Sequence, residues 1–131
     1  MNNDSPKVIP AKPAVLIVDD ELSLLSVISE SLADEFEIVT TASAKEAEQL
    51  MMSRGFDVVV CDHLMPGGAG LDFLVCVMER WPATRRIMFT GYINPELLSR
   101  SVTIADLSAC LIKPVRSAEL ARVIRAALKN K

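Results

Sequence analysis

The sequence predicts an α/β fold: a doubly wound, five-stranded parallel sheet with helices on both faces. Three observations lead there. Short apolar runs, among them AVLIV, DVVVC, RRIMF and ACLI, recur along the chain. Segments with helical apolar spacing alternate with them, as parallel strands joined by crossover helices require. The valine-rich run is apolar at successive positions, the mark of a strand covered on both sides.

The elements follow in order. Residues 1–13, MNNDSPKVIPAKP, carry three prolines and are expected to be a disordered lead-in to one domain over 14–131. Val15–Val18 is the first strand. A helix runs from Glu21 to about Ala33, with Leu25, Ile28 and Leu32 on one face. Phe36–Thr40 is less apolar and suits a position near a sheet edge. Ser43-Ala-Lys-Glu46 spells a capping box opening a helix through Arg54, which Gly55 should end. Asp57–Cys61 is the third strand. Met65 to Gly70 is a loop by its glycine and proline content, and a helix from Leu71 to about Arg80 ends before Pro82. Arg86–Phe89 is the fourth strand. Asn94-Pro95 places a cap before a proline at the first helical position, so a helix spans Pro95 to about Ile104. Ala109–Ile112 is the fifth strand. Ser117 is expected to cap a final helix carrying Leu120, Val123, Ile124, Ala127 and Leu128.

At 131 residues, 50% hydrophobic and 24% charged, the chain has the size and composition of one globular domain. A net charge of −3 with no basic stripe argues against direct nucleic-acid binding. No apolar stretch approaches the ~20 residues that cross a bilayer, and the N-terminus lacks a signal peptide's apolar core. Cys61, Cys76 and Cys110 are odd in number and unclustered, so they suggest neither a disulfide framework nor a zinc site. A reducing cytoplasm suits them.

The chemistry-bearing residues stand where the strands end. Asp19 and Asp20 follow the first strand, Asp62 the third, Thr90 the fourth and Lys113 the fifth. Parallel strands bring those ends to one edge, where open α/β sheets bind ligands. Three adjacent carboxylates repel one another unless a cation joins them. Mg²⁺ fits, since it takes carboxylate oxygens together with water and phosphate. With a cation beside it, Asp62 can act as a nucleophile toward a phosphoryl group. Lys113 can supply a second positive charge, and Thr90 a hydroxyl hydrogen bond. Taken singly, Asp19–Asp20 reads as a helix cap, Thr90 as a strand end and Lys113 as a solvated charge. The set is what carries the argument.

At this point the residues resemble a family, the receiver domain of two-component response regulators, of the chemotaxis-regulator kind. The resemblance covers about Ala14 to Leu128. It is carried by VLIVDDE (15–21), VVVCDHLMPGGAGLDFL (58–74), MFTGY (88–92) and LIKP (111–114). It implies the flavodoxin-like strand order 2-1-3-4-5. It also implies that Asp62 accepts a phosphoryl group from a sensor histidine kinase or a histidine phosphotransfer protein. Asp20 and Asp62 would bind Mg²⁺ directly, Asp19 through water, and the backbone carbonyl of Leu64 would be a further ligand. Lys113 would grip the phosphoryl oxygens, Thr90 would shift toward them, and the Lys113–Pro114 bond would be cis. The fourth helix, fifth strand and fifth helix would form the surface that binds a partner or a second receiver. Cys110 departs from the pattern, because the family usually carries Tyr or Phe three residues before the lysine. Leu64 and Tyr92, two residues beyond Asp62 and Thr90, orient water poorly and imply slow self-dephosphorylation. His63 is expected to pack at the rim or contact a partner, Trp81 to pack at a helix end, and Met51 and Met52 to pack within their helix.

The expected role is thus a phosphorylation-dependent switch, not an enzyme beyond its own phosphorylation and slow dephosphorylation. A phosphohydrolase of the haloacid-dehalogenase type is one alternative, but it wants a D-x-D pattern where this chain has adjacent aspartates. A receiver-like module that is no longer phosphorylated is the other.

Overall fold

The computed structural model describes residues 11–65, 69–91 and 94–129, with Ala69 by its backbone alone. The first ten residues of the expected lead-in, most of the glycine loop and Tyr92 lie outside these. The five apolar runs form β1 (Ala14–Val18), β2 (Glu37–Thr41), β3 (Val58–Asp62), β4 (Arg85–Thr90) and β5 (Ala109–Ile112). Between and after them lie α1 (Leu22–Leu32), α2 (Ala44–Ser53), α3 (Ala69–Arg80), α4 (Pro95–Ala105) and α5 (Ser117–Lys129). All strand pairs are parallel, in the order β2-β1-β3-β4-β5.

Alternation along the strands divides the core in two. Leu16, Val18, Val59, Cys61 and Met88 pack with Ala47 and Met51 of α2, Leu74 and Val77 of α3, and Ala105 of α4. Their neighbours Val15, Ile17, Val58, Val60, Ile87 and Phe89 pack with Leu25 and Ile28 of α1 and Leu120 and Ile124 of α5. Each such large side chain contributes about 1.5–3 kcal/mol by leaving water. The division follows from topology. The step from β1 to β2 runs opposite to every later step, so right-handed crossovers put α1 on one face and α2, α3 and α4 on the other. The seam between β1 and β3 is where the direction reverses.

Several ends differ in detail from the sequence reading. Ser43 does cap α2, its Oγ accepting the Glu46 N–H at 3.2 Å. The Glu46 carboxylate, however, accepts a hydrogen bond from the Thr41 hydroxyl, and the Ser43 N–H donates to Thr41 Oγ1 at 3.3 Å. Gly55 does not end α2 through a left-handed turn. The helix stops a residue earlier, and Arg54 is already extended at φ −158°. The left-handed cap belongs to Asp106 (φ 48°), after α4. Asn94 caps α4 as expected, its Oδ1 accepting the N–H groups of Glu96 and Leu97 at 3.1 and 3.2 Å. Ser117 is the first residue of α5, one place inside its expected cap position. Met51 is buried, but Met52 is 65% exposed and does not pack as expected. No helix among the described residues is long and apolar enough to cross a membrane.

Candidate functional site

β1 is hydrogen-bonded on both sides, and the ladder continues one residue past its end, where Asp19 N–H donates to the Thr41 carbonyl at 3.1 Å. That fixes Asp19, whose side chain is wholly buried. Its Oδ1 accepts the Glu21 N–H at 2.8 Å, and its Oδ2 lies 2.8 Å from Lys113 Nζ. Asp20, the next residue, is exposed. Asp62 ends β3 and is 5% exposed. Its Oδ1 accepts the Leu64 N–H at 3.3 Å, and its Oδ2 faces Lys113 Nζ at 3.4 Å. Asp19, Asp20 and Asp62 each offer a carboxylate oxygen, all within 4.8 Å of one another.

Lys113 reaches the cluster from beyond β5. Its N–H donates to the Thr90 carbonyl at 2.8 Å, which ties the strand end down. The Lys113–Pro114 bond is cis. The ammonium lies 5.1 Å from the centre of the Phe89 ring, an added attraction for a cation. Thr90 is fully buried at the end of β4, in register with Ile112. All five expected residues therefore meet at one rim, three as carboxylates and one as an ammonium, with Thr90 at the end of β4.

The electrostatics follow from this crowding. Burial pushes the Asp62 carboxyl up; Lys113 pulls it back, Asp19 pushes it further, and the net result is a raised pKa. Burial alone would lower Lys113, but hydrogen bonds to Asp19 and Glu21 outweigh it and hold the ammonium above its usual range. Such a site has an excess of hard anionic oxygen that one lysine does not cancel. That donor set suits a small divalent cation such as Mg²⁺.

Two residues at the site escaped the sequence reading. By sequence Glu21 is only a helix start, yet its Oε1 lies 3.1 Å from Lys113 Nζ. By sequence Gly70 belongs to a loop, yet it lies in the first turn of α3 against the carbonyls of Asp62 and His63. The glycine-rich spelling was the available signal for the second; nothing local announced the first. His63 is half-buried, as a rim residue should be, and its N–H donates to the Phe89 carbonyl at 2.9 Å. Trp81 is partly buried against the core, with the Arg80 guanidinium over its ring at 4.5 Å. The three cysteines are free, and Cys110 packs partly buried against the α2–α3–α4 side.

Residues 15–125 match the family described as the response regulator receiver domain. Among curated proteins, the chain is 36% identical over 115 residues to the hydrogenase transcriptional regulatory protein HoxA of Cupriavidus necator, covering 88% of this chain and 24% of that one. It is 28% identical over 120 residues to the response regulator protein PilR of Pseudomonas aeruginosa, covering 91% and 27%. The chain thus spans about a quarter of the length of these relatives. Among solved structures, a CheY-like response regulator receiver domain protein from Methanospirillum hungatei superposes with a TM-score of 0.84 at 27% identity, covering 91% of this chain and 95% of that one. Chemotaxis protein CheY4 of Vibrio cholerae does so at 0.83 and 28%, covering 90% and 100%.

Proposed function

The chain belongs to the response regulator receiver domain family, and from that premise we propose that it is a phosphorylation-dependent switch whose phosphoryl acceptor is Asp62. The observation that carries this is the Asp62 carboxylate itself, nearly buried at the sheet edge, with Lys113 Nζ at 3.4 Å and two further carboxylates beside it. Domains of this family are signalling modules that bind Mg²⁺ at an acidic pocket. Here Asp20 and Asp62 would hold the ion directly, Asp19 through water, and the Leu64 carbonyl would add a ligand. A bound Mg²⁺ supplies the positive charge that lets carboxylates and phosphoryl oxygens share one site.

The chain's own residues account for the remainder. An Asp62 oxygen forms the new O–P bond while the donor's N–P bond breaks, its electron pair leaving with the imidazole of a phosphohistidine. Lys113 meets the phosphoryl oxygens with N–H donors, and the Thr90 hydroxyl donates from the β4 side. Phosphoryl transfer needs little more than this positioning and charge neutralisation. The phosphoryl donor would be a sensor histidine kinase or a histidine phosphotransfer protein. The chain would not be an enzyme beyond its own phosphorylation and slow dephosphorylation. Leu64, half-exposed and apolar beside Asp62, has no polar group to aim a water. A phosphoryl half-life of seconds, followed by mass after donor removal, would contradict the slow loss.

By likeness to transcriptional regulators of which it spans a quarter, the domain (residues 14–131, with 1–13 as a lead-in) would serve an output in the cytoplasm. The state would be read through α4, β5 and α5, by a partner or a second copy. Val102, Ile104 and Ile112 leave apolar side chains exposed on α4 and β5. With Cys110 on β5, no aromatic ring at that position follows Thr90. The test is direct. Incubation with acetyl phosphate should add one phosphoryl group by intact mass only when Mg²⁺ is present, and Asp62→Asn should abolish the gain. Turnover of phosphate esters instead would favour a phosphohydrolase.

A further inference from the structure

Lys113 carries three N–H donors and faces three carboxylates. We propose that Glu21 is a positioning residue for phosphoryl transfer, a displaceable third partner that holds the Lys113 ammonium back from Asp62 until a phosphoryl group arrives. This rests on Asp62 being the phosphoryl acceptor.

The distances place the ammonium off-centre. Nζ is 2.8 Å from Asp19 and 3.1 Å from Glu21, but 3.4 Å from Asp62, beyond the usual range of a strong N–H···O bond. Asp19 and Glu21 act from one side, since both belong to the turn after β1 and the Asp19 carboxylate accepts the Glu21 N–H. Glu21 stands at the N-cap of α1, yet its side chain makes no capping hydrogen bond. The group that could have capped the helix is turned to the lysine instead.

A phosphoryl group on Asp62 adds oxygens that need the same N–H donors, so one carboxylate must yield. Asp19 is wholly buried, and stripping it of its partner would leave an uncompensated interior charge. Glu21 has a side chain 60% exposed, so water can take the lysine's place at little cost. There is also room for it to leave. A hollow of about 290 Å³, bounded by Glu21, Leu24, Phe89, Lys113, Pro114 and Val115, opens beside the ion pair. Glu21 is therefore the partner that gives way, and its release is part of the barrier to acquiring the phosphoryl group.

Two variants of the full chain separate this from simple charge repulsion. Glu21→Gln removes the charge. Glu21→Asp keeps the charge but shortens the side chain, withdrawing it from Nζ. Phosphorylation by acetyl phosphate with Mg²⁺, and phosphoryl loss after donor removal, are followed by intact mass. Both variants should acquire the group about threefold to fivefold faster, the factor an exposed ion pair carries, with a smaller change in the rate of loss. In metal-free protein, both should also move the Lys113 Nζ ammonium resonance. Acceleration in Glu21→Gln alone would show only that the charge repels an anionic donor, and would overturn the proposal. So would wild-type rates in both, equal acceleration of gain and loss, or an unmoved ammonium signal. If the wild type takes up no phosphoryl group with Mg²⁺, the acceptor role of Asp62 fails and the proposal falls with it. If the wild type is phosphorylated and the variants match it, only the role of Glu21 is lost.

Discussion

A Cβ placed on Gly70 would lie 2.0 Å from the Asp62 carbonyl oxygen and 2.6 Å from that of His63. Both are backbone atoms and cannot rotate aside, so Gly70→Ala must push the start of α3 off the end of β3. We expect a loss of about 3 kcal/mol in urea unfolding, typical of overpacking, with slower phosphorylation of Asp62. Gly55 is the control. Open space surrounds its Cβ position and its φ is not left-handed, so Gly55→Ala should leave stability unchanged or raise it by about 0.5 kcal/mol. At this scale the acids, Thr90 and Lys113 were legible because each follows an apolar run, and strand ends in a parallel sheet share an edge. Glu21 was not, because its role depends on a lysine 92 positions later whose side-chain path no local pattern specifies. Gly70 was legible only as a breaker, because the neighbour it makes room for is backbone.

Among the elements, α4 shows how a sequence signal can be right at one end and silent at the other. Asn94-Pro95 announced its start. Its far end is held by Arg86, which the sequence presents as half of a basic pair and the fold buries to 5% exposure. Arg86 Nε donates to the Ala105 carbonyl at 2.9 Å and Nη2 to that of Asp106 at 3.2 Å, while Nη1 donates to Thr84 at 2.6 Å. A guanidinium at the negative end of a helix suits both its dipole and its unpaired carbonyls. Asp106 Oδ2 adds an ion pair at 3.6 Å, but that carboxylate is 84% exposed and contributes little. Arg86→Met should therefore cost about 3 kcal/mol, since buried carbonyls lose their donors. Amide exchange should quicken in the last turn of α4. Arg86→Lys should rescue little, because one ammonium cannot reproduce the planar fork. Unchanged exchange in Arg86→Met would show that the helix end is held by packing alone. The partners at the helix end are main-chain oxygens 19 and 20 positions away, which is why composition could not reveal them.

Across the whole molecule, the reversal of winding between β1 and β3 is what gathers Asp19, Asp20 and Asp62, and the same gathering acts on stability. Burial, opposed by Lys113 and reinforced by Asp19, raises the Asp62 carboxyl above its ordinary 3.8. The native protein then binds more protons than the unfolded chain from that value upward. Metal-free stability therefore falls as pH rises from the unfolded pKa through the folded one, and levels off above it. Asp62→Asn has no such charge. In chelator at pH 7 its unfolding midpoint should lie above that of the wild type, and the gap should close as pH drops below about 3.5, where the carboxyl is protonated in both states. Added Mg²⁺ should invert the order. A cation bound only by the folded form stabilises it by about 2.7 kcal/mol at a hundredfold excess over its Kd, and the variant lacks one of the three carboxylates. Thermal melts between about pH 3 and pH 8, with chelator and with Mg²⁺, test both halves. A variant no more stable than the wild type in chelator would mean that Lys113 already offsets the charge of Asp62. A wild type indifferent to Mg²⁺ would mean that the three carboxylates are too far from a common ligand geometry to hold the ion.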